Sequence, residues 1–391
     1  MASRARRIAL ALHLWTGLAF GAWFALLGLT GSALVFYVEL DRALDPRIRL
    51  ARSVQATPSP GAIEHVLRAA FPERDGPWRI ELPLAPGLPV TARYYRPVER
   101  AGRHFAPLLV TLEPDTLAVT STRFWGDTPM TWLFDLHYTL LLGKTGLLLV
   151  GLAGCAIAAM LVSGICLWWP SRARLRAALR IVPRPGLVRR TYDLHNAGGI
   201  YASAVLLVLA LTGSALAFPD GARALIAPGT DLPASHARPH GPAAPALPLD
   251  EAVAIARRRF PGAEVRWIET SGARGTPIAV RLHQAGEPSL RFPQTRIWID
   301  PADGAVLALH DPHGSTTAAR LLDWMHPLHN GEAFGLCGRL LVLAAGFVPL
   351  LLVATGLYRW RQKGGARQRA VLQAERTSSA KPKDRAPVRN R

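Results

Sequence analysis

The hexapeptide LTGSAL stands at residues 29–34 and again at 211–216. Each copy follows a histidine by the same interval, His13 to Leu29 and His195 to Leu211, and the match extends well beyond six residues. Offset by 182, LHLWTGLAFGAWFALLGLTGSALVF (12–36) aligns with LHNAGGIYASAVLLVLALTGSALAF (194–218). Offset by 192, Trp132, Leu136 and His137 align with Trp324, Leu328 and His329, and SGICLWW (163–169) with TGLYRWR (355–361). Between these, LVTLEPDTLAV (109–119) resembles RIWIDPADGAVL (296–307). Self-similarity at fixed spacing marks a repeated unit. Here each half reads helix, outer domain, helix. Two halves in the same orientation are related by a pseudo-two-fold axis along the membrane normal.

Four apolar runs, 8–38, 145–169, 193–218 and 336–358, reach the ~20 residues that crossing a bilayer requires. The first is too long for a signal-peptide core and no clear small-residue cleavage site follows it, so an uncleaved anchor is expected. The net charge of +19 is carried by three short segments, 1–7, 170–190 and 359–391. A nucleic-acid binder would spread such an excess over a folded face. Here it abuts apolar runs, as at the cytoplasmic ends of membrane helices. Both termini and 170–190 are therefore expected inside, and 39–130 and 219–325 outside, in the periplasm of a Gram-negative inner membrane. Cys155, Cys166 and Cys337 all fall in apolar runs, with no zinc or CxxCH spacing.

The predicted fold class is an α-helical membrane protein, with four transmembrane helices from an internal duplication and two small periplasmic α+β domains. Transmembrane helix 1 is expected in 1–38, the first outer domain in 39–130, and an interfacial segment with helix 2 in 131–170. A basic loop follows in 171–190, helix 3 in 191–218, a linker and the second outer domain in 219–317, an interfacial segment with helix 4 in 318–360, and a basic tail in 361–391. LDEAVAIARRRFPGAEVRWIE reads as a helix capped by Asp250 and ended by Gly262, then a strand. RIWIDPADGAVLAL reads as a hairpin turning on Asp303-Gly304. The Pro-rich 227–248 reads as a linker.

Four of the twelve histidines occupy repeat-equivalent positions: His13, His195, His137 and His329. Counting from the basic flanks at 1.5 Å per residue places His13 and His195 about 8–9 Å inside the inner boundary, and His137 and His329 near the outer face. Each pair is exchanged by the pseudo-two-fold axis. A flat metal macrocycle on that axis receives one imidazole on each face, and imidazole suits iron. An interfacial or helix-packing role is the plain alternative for any one of them. Gly17, Gly21, Gly198, Gly199 and Ala202 would let a ring lie close to the backbone, or simply let helices pack. Asp135 and Asp193, each two residues before a candidate ligand, are candidate partners for it, or ordinary helix-start carboxylates. His326 competes with His329, but its repeat counterpart is Phe134. A straight helix from His137 to Trp168 would be about 46 Å, beyond a ~30 Å core. It must break at Gly143–Gly146, or else TWLFDLHYTLLLG lies along the outer interface.

The combination LHxWxGL…LTGSALVF, DLHYTLLLGKTG, SGICLWWP, LHNAGGIYA and HN…G…ATGLYRWRQ resembles the PepSY-associated transmembrane-helix proteins over roughly 5–362. Among these are iron-regulated inner-membrane proteins and siderophore-iron reductases. The resemblance implies four membrane helices, PepSY-like periplasmic domains, and two b-type haems with His13, His195, His137 and His329 as ligands. The implied activity is transfer of electrons across the membrane to a ferric siderophore, releasing Fe(II). The chain ends in a basic tail rather than a flavin domain, so the donor, a quinol or a soluble reductase, would be separate. Two other functions compete: a non-enzymatic PepSY membrane protein that binds a protease or senses an envelope signal, and a siderophore permease.

Overall fold

A computed structural model describes residues 4–50, 58–182, 186–229, 239 and 247–379. In the first half, helices α1 (Arg4–Leu34), α2 (Tyr37–Leu44) and α3 (Pro60–Ala70) precede strands β1 (Trp78–Glu81), β2 (Val90–Tyr94), β3 (Leu108–Leu112) and β4 (Val119–Phe124). Helices α4 (Pro129–Thr139), α5 (Gly143–Trp168) and the single turn α6 (Leu175–Ala178) follow. The second half runs α7 (Leu187–Ala217), α8 (Pro219–Ile226), α9 (Leu249–Arg259), β5 (Glu264–Glu269), β6 (Ile278–His283), β7 (Thr295–Ile299), β8 (Val306–His310), α10 (Thr317–Asn330) and α11 (Gly335–Ser379). The chain is an α-helical membrane protein that also carries an antiparallel sheet: α1, α5, α7 and Glu332–Ala366 are long and apolar enough to cross a bilayer. Leu152, Val162, Leu211, Leu340, Phe347 and Leu350 point outward from them, as lipid-facing positions require.

The four spans close a ring in which α1 packs on α5 and α11, and α7 packs on the same two. Serines tie it together. Ser32 Oγ donates to Leu343 O at 2.9 Å, and Ser214 Oγ donates to Gly151 O at 3.2 Å, the same contact at both offsets. The ends of α1 and α7 and the starts of α5 and α11 connect to the sheet segments through α2, α8, α4 and α10, and the opposite end carries the basic segments. We call these the sheet side and the basic side.

The stretch from His137 to Trp168, too long for one straight span, is divided between two helices. Leu140 and Leu141 take left-handed φ values of 50° and 61°, and Gly143 takes 57°, so the chain turns between α4 and α5. The break lies at Leu140–Gly143, slightly before the expected place. Gly146 sits inside α5, where a Cβ would fall 1.5 Å from Thr139 O. The second half breaks at Gly331 and Gly335, and there a Cβ on Gly338 would fall 2.2 Å from Gly331 O. Helix α11 continues to Ser379, past the expected end at 360.

The outer segments were expected as two separate α+β units, but their strands join one eight-stranded sheet in the order β4-β3-β2-β1-β5-β6-β7-β8. The halves meet where β1 pairs with β5, Ile80 opposite Ile268. Strand alternation then gives the sheet two unlike faces. Ile80, Val90, Val110, Ile268, Val280 and Ile297 are completely buried with Leu67 of α3 and Ala252 of α9 on one face. The expected hairpin at Asp303-Gly304 is present, with Gly304 at φ +75°. In the first half Leu117 holds the matching position at φ +56°, a conformation costing an L-residue roughly 1–2 kcal/mol. Asp250 does not cap its own helix, which begins after Pro248. It crosses to α3 instead, accepting from Ser59 Oγ at 2.6 Å and Gly61 N at 3.2 Å. Gly262 follows α9 with φ +81°, as expected. Most of the Pro-rich linker, 230–238 and 240–246, lies outside the described residues.

On the other face, Arg123 of β4 donates to Asp41 Oδ2 of α2 at 2.7 Å and to Asp45 Oδ2 at 3.2 Å, tying sheet to helix. All three side chains are under one-tenth exposed. Arg123→Ala leaves Asp41 a buried carboxylate without its cation, which should cost about 3–5 kcal/mol. A lowered thermal midpoint of the purified variant checks this, and an unchanged midpoint contradicts it.

Candidate functional site

Two histidine pairs lie inside the helix ring, one on each side. On the basic side, His13 of α1 faces His195 of α7, with ring centroids 6.2 Å apart and planes at 88°. On the sheet side, His137 of α4 faces His329 of α10, again at 6.2 Å, with planes at 51°. The second pair lies level with Thr30 and Gly31 on α1, so about 25 Å of helix rise separates the layers. Between them Phe24, Ile157, Met160, Leu161, Leu206 and Ala345 form a buried apolar core.

Each imidazole is held by a hydroxyl-glycine dipeptide on another helix. Thr30 Oγ1 lies 2.9 Å from His137 Nδ1, and Thr212 Oγ1 3.0 Å from His329 Nδ1. Both threonines already donate their protons within their own helices, to Leu26 O at 2.8 Å and Val208 O at 2.7 Å. Their lone pairs must therefore accept from an Nδ1–H. On the basic side, His13 Nδ1 lies 3.1 Å from Met160 O and 3.4 Å from Ser163 Oγ, and His195 Nδ1 lies 3.1 Å from Leu352 O and from Thr355 Oγ1. A carbonyl only accepts, so Nδ1 again carries the proton. All four rings are thus fixed as Nδ1–H tautomers whose Nε2 lone pairs remain free.

The glycine of each dipeptide makes room for the ring. A Cβ on Gly31, Gly164, Gly213 or Gly356 would come within 2.9–3.2 Å of the Cε1 of His137, His13, His329 or His195, respectively. These four glycines border the imidazoles directly. The stripe singled out from the sequence faces side chains instead: Gly17 looks at Met160, Gly21 at Val353, Gly198 at Leu351 and Gly199 at Leu352. The dipeptides could have been read from the sequence, because Thr-Gly or Ser-Gly recurs at 30, 163, 212 and 355 in register with the repeat.

The two aspartates proposed as histidine partners have other partners. Asp135 accepts from Trp125 Nε1 at 2.8 Å, and burial raises its pKa. Asp193 accepts from Arg189 Nε at 2.9 Å and Val182 N at 3.3 Å. His326 packs on Phe292, with ring centroids 3.9 Å apart. His310 pairs with Asp323 at 3.0 Å.

Chemically, the pairs are paired donors. A metal–imidazole bond is about 2.0–2.1 Å and the ring centre lies about 1.1 Å beyond the nitrogen, so two rings ligating one metal from opposite sides stand about 6.3 Å apart. The observed separations meet that requirement in both layers. Among the described residues no three His, Cys, Asp or Glu side chains converge. Each layer thus brings two facing imidazoles together, with no third such side chain beside them among the described residues.

The chain is 28% identical over 261 residues to an uncharacterized protein of Pseudomonas aeruginosa, PA4219. That alignment takes in 59% of this chain and 63% of the relative, so the chain spans less than two thirds of the relative's length. The PepSY-associated TM region matches residues 10–363, which take in most of each span, the whole sheet and both histidine pairs, and the chain belongs to that family.

Proposed function

We propose that this protein is a di-haem reductase of the bacterial inner membrane that passes electrons to a ferric siderophore in the periplasm, releasing Fe(II) for iron acquisition. The observation that carries this reading is the recurrence, in two layers, of facing imidazoles at a spacing suited to one metal between them. Two b-type haems, one between His13 and His195 and one between His137 and His329, would supply one-electron chemistry and the equatorial nitrogens. We read the chain as an internal duplication with both termini cytoplasmic and the sheet periplasmic. The electron donor is then a quinol or a soluble reductase meeting the basic side, and each ferric ion takes up one electron at the sheet side.

The chain's own part is positional. Hydroxyls and carbonyls on Nδ1 fix the tautomer and raise the basicity of Nε2, as partners of metal-bound histidines do. The apolar layer between the pairs keeps water out of the helix ring. Thr30→Val or Thr212→Val removes one such partner without changing side-chain size much. Either should weaken haem affinity at the sheet-side site by about 10- to 100-fold and leave the basic-side site alone. Haem titration of the apoprotein reads this directly, and unchanged affinity would count against the assigned tautomer.

The function is tested in proteoliposomes with reductant inside, ferric siderophore outside and a ferrous chelator outside to trap the product. Formation of trapped Fe(II) that depends on all four histidines supports the reductase. A protease-binding or signal-sensing protein, or a permease, would show no such histidine dependence.

A further inference from the structure

The sheet face turned toward α2 and α10 carries arginines directly opposite one another. Arg79 of β1 pairs across strands with Arg93 of β2, and Arg281 of β6 with Arg296 of β7. Like charges at opposite positions destabilise a sheet unless something lies between them. For the first pair that is Glu81, whose Oε1 lies 3.3 Å from Arg79 Nε and 2.9 Å from Arg93 Nε. The second pair has no equivalent. Glu269 approaches Arg281 only to 3.9 Å, and Arg296 donates to the neutral Gln294 Oε1 at 3.1 Å. Asp323, the carboxylate on the facing helix, is taken by His310. Among the described residues no carboxylate comes within hydrogen-bond distance of Arg281 or Arg296, and the Arg296 Nε is buried without a partner. Burial, then Arg296 and Arg79, push the Arg281 guanidinium down to about 9.

Trp267 holds these cations in place. Arg79 stacks on its ring at 3.3 Å and Arg281 approaches it at 4.8 Å. Arg79 is itself engaged, by Glu81 and by Tyr95 Oη, to which its Nη1 donates at 2.6 Å, whereas Arg281 over the same ring keeps its planar fork open for bidentate contact with an oxyanion. From Trp267 the contacts lead inward: its ring is 5.7 Å from Phe292, which is 3.9 Å from His326, three residues before His329. A file of rings thus leads from the arginines to the helix that carries His329.

We propose that Arg281 and Arg296, beside Trp267, form an oxyanion-binding surface on which the electron acceptor docks through its own anionic oxygens, so that this protein's substrates are anionic iron chelates rather than neutral ones. The inference rests on the reductase reading for the identity of its ligand. Its test does not need electron transfer.

Gallium(III) replaces iron without being reduced, so binding is measured alone. The full chain in zwitterionic nanodiscs is titrated with trianionic gallium(III) tris-catecholate and with a neutral gallium(III) tris-hydroxamate, following tryptophan fluorescence. The trianion should bind at least about tenfold more tightly, with affinity falling as salt rises. Arg281→Gln with Arg296→Gln should abolish that preference while leaving haem content unchanged, and the single Arg296→Gln should weaken it. Equal affinity for both probes, no binding of the trianion, or an undiminished preference in the double variant overturns the proposal. Loss of haem from the double variant overturns it too, because the carboxylates held there would then be the cofactor's. The wild-type comparison of the two probes and its salt dependence stand even if a variant fails to fold. Haem-free protein carrying His13→Ala and His137→Ala that still prefers the trianion would uphold the docking surface independently of the haem assignment.

Discussion

Replacing His137 or His329 with alanine should lower bound haem from about two per chain to about one, and adding His13→Ala should remove the second. The layers are about 25 Å apart along the helices and share no ligand, so each loss should be confined to its own layer. Each ring has a single facing partner, and one remaining imidazole does not replace two. His326→Ala provides the contrast. It lies three residues from His329 but packs on Phe292, so it should retain both haems. Pyridine haemochrome assay per mole of protein separates the outcomes. Full haem in His329→Ala with loss in His326→Ala would mean that the wrong histidine has been assigned.

The second large effect is expected at a glycine in the first turn of α5. In Gly146→Ala the added methyl would lie 1.5 Å from Thr139 O, the carbonyl at the end of the helix that carries His137. No rotation of a methyl relieves contact with backbone. The break between α4 and α5 must then open, costing about 3 kcal/mol or more and moving His137 off its partner. Gly338→Ala meets Gly331 O at 2.2 Å and should do the same to His329. Both variants should show lower thermal midpoints together with selective loss of the sheet-side haem. A fully stable Gly146→Ala protein with both haems would contradict the geometry of the break.

Much of this architecture could be read from residue order, because a membrane imposes few choices. Four apolar runs with basic flanks leave little freedom, and the repeat at 182 and 192 residues pairs the histidines before any contact is known. The hexapeptide LTGSAL proves to be three devices in succession: Thr30 and Thr212 hold an imidazole, Gly31 and Gly213 clear space for it, and Ser32 and Ser214 bond the next helix. Contacts between elements distant in sequence were harder to foresee. Nothing in Ile80 or Ile268 announces that two outer segments will merge into one sheet, since any β-branched strand edge could pair there. Asp250 looked like a cap for its own helix because side chain and helix start coincide, yet it serves α3. Asp135 and Asp193 misled for a related reason: nearness in sequence along a helix does not put a carboxylate on the face its neighbouring histidine uses. Leu140 and Leu141 hid the exact place of the helix break, because left-handed backbone at leucine carries no sequence signal.

The most direct test of the account is the haem-to-protein ratio of the purified, full-length protein, taken with its reduced-minus-oxidised spectrum. About two b-type haems per chain, both low-spin as two imidazole ligands require, is the predicted result. Protein that is folded, contains His13, His137, His195 and His329, is supplied with haem, and still shows no haem absorption would contradict it.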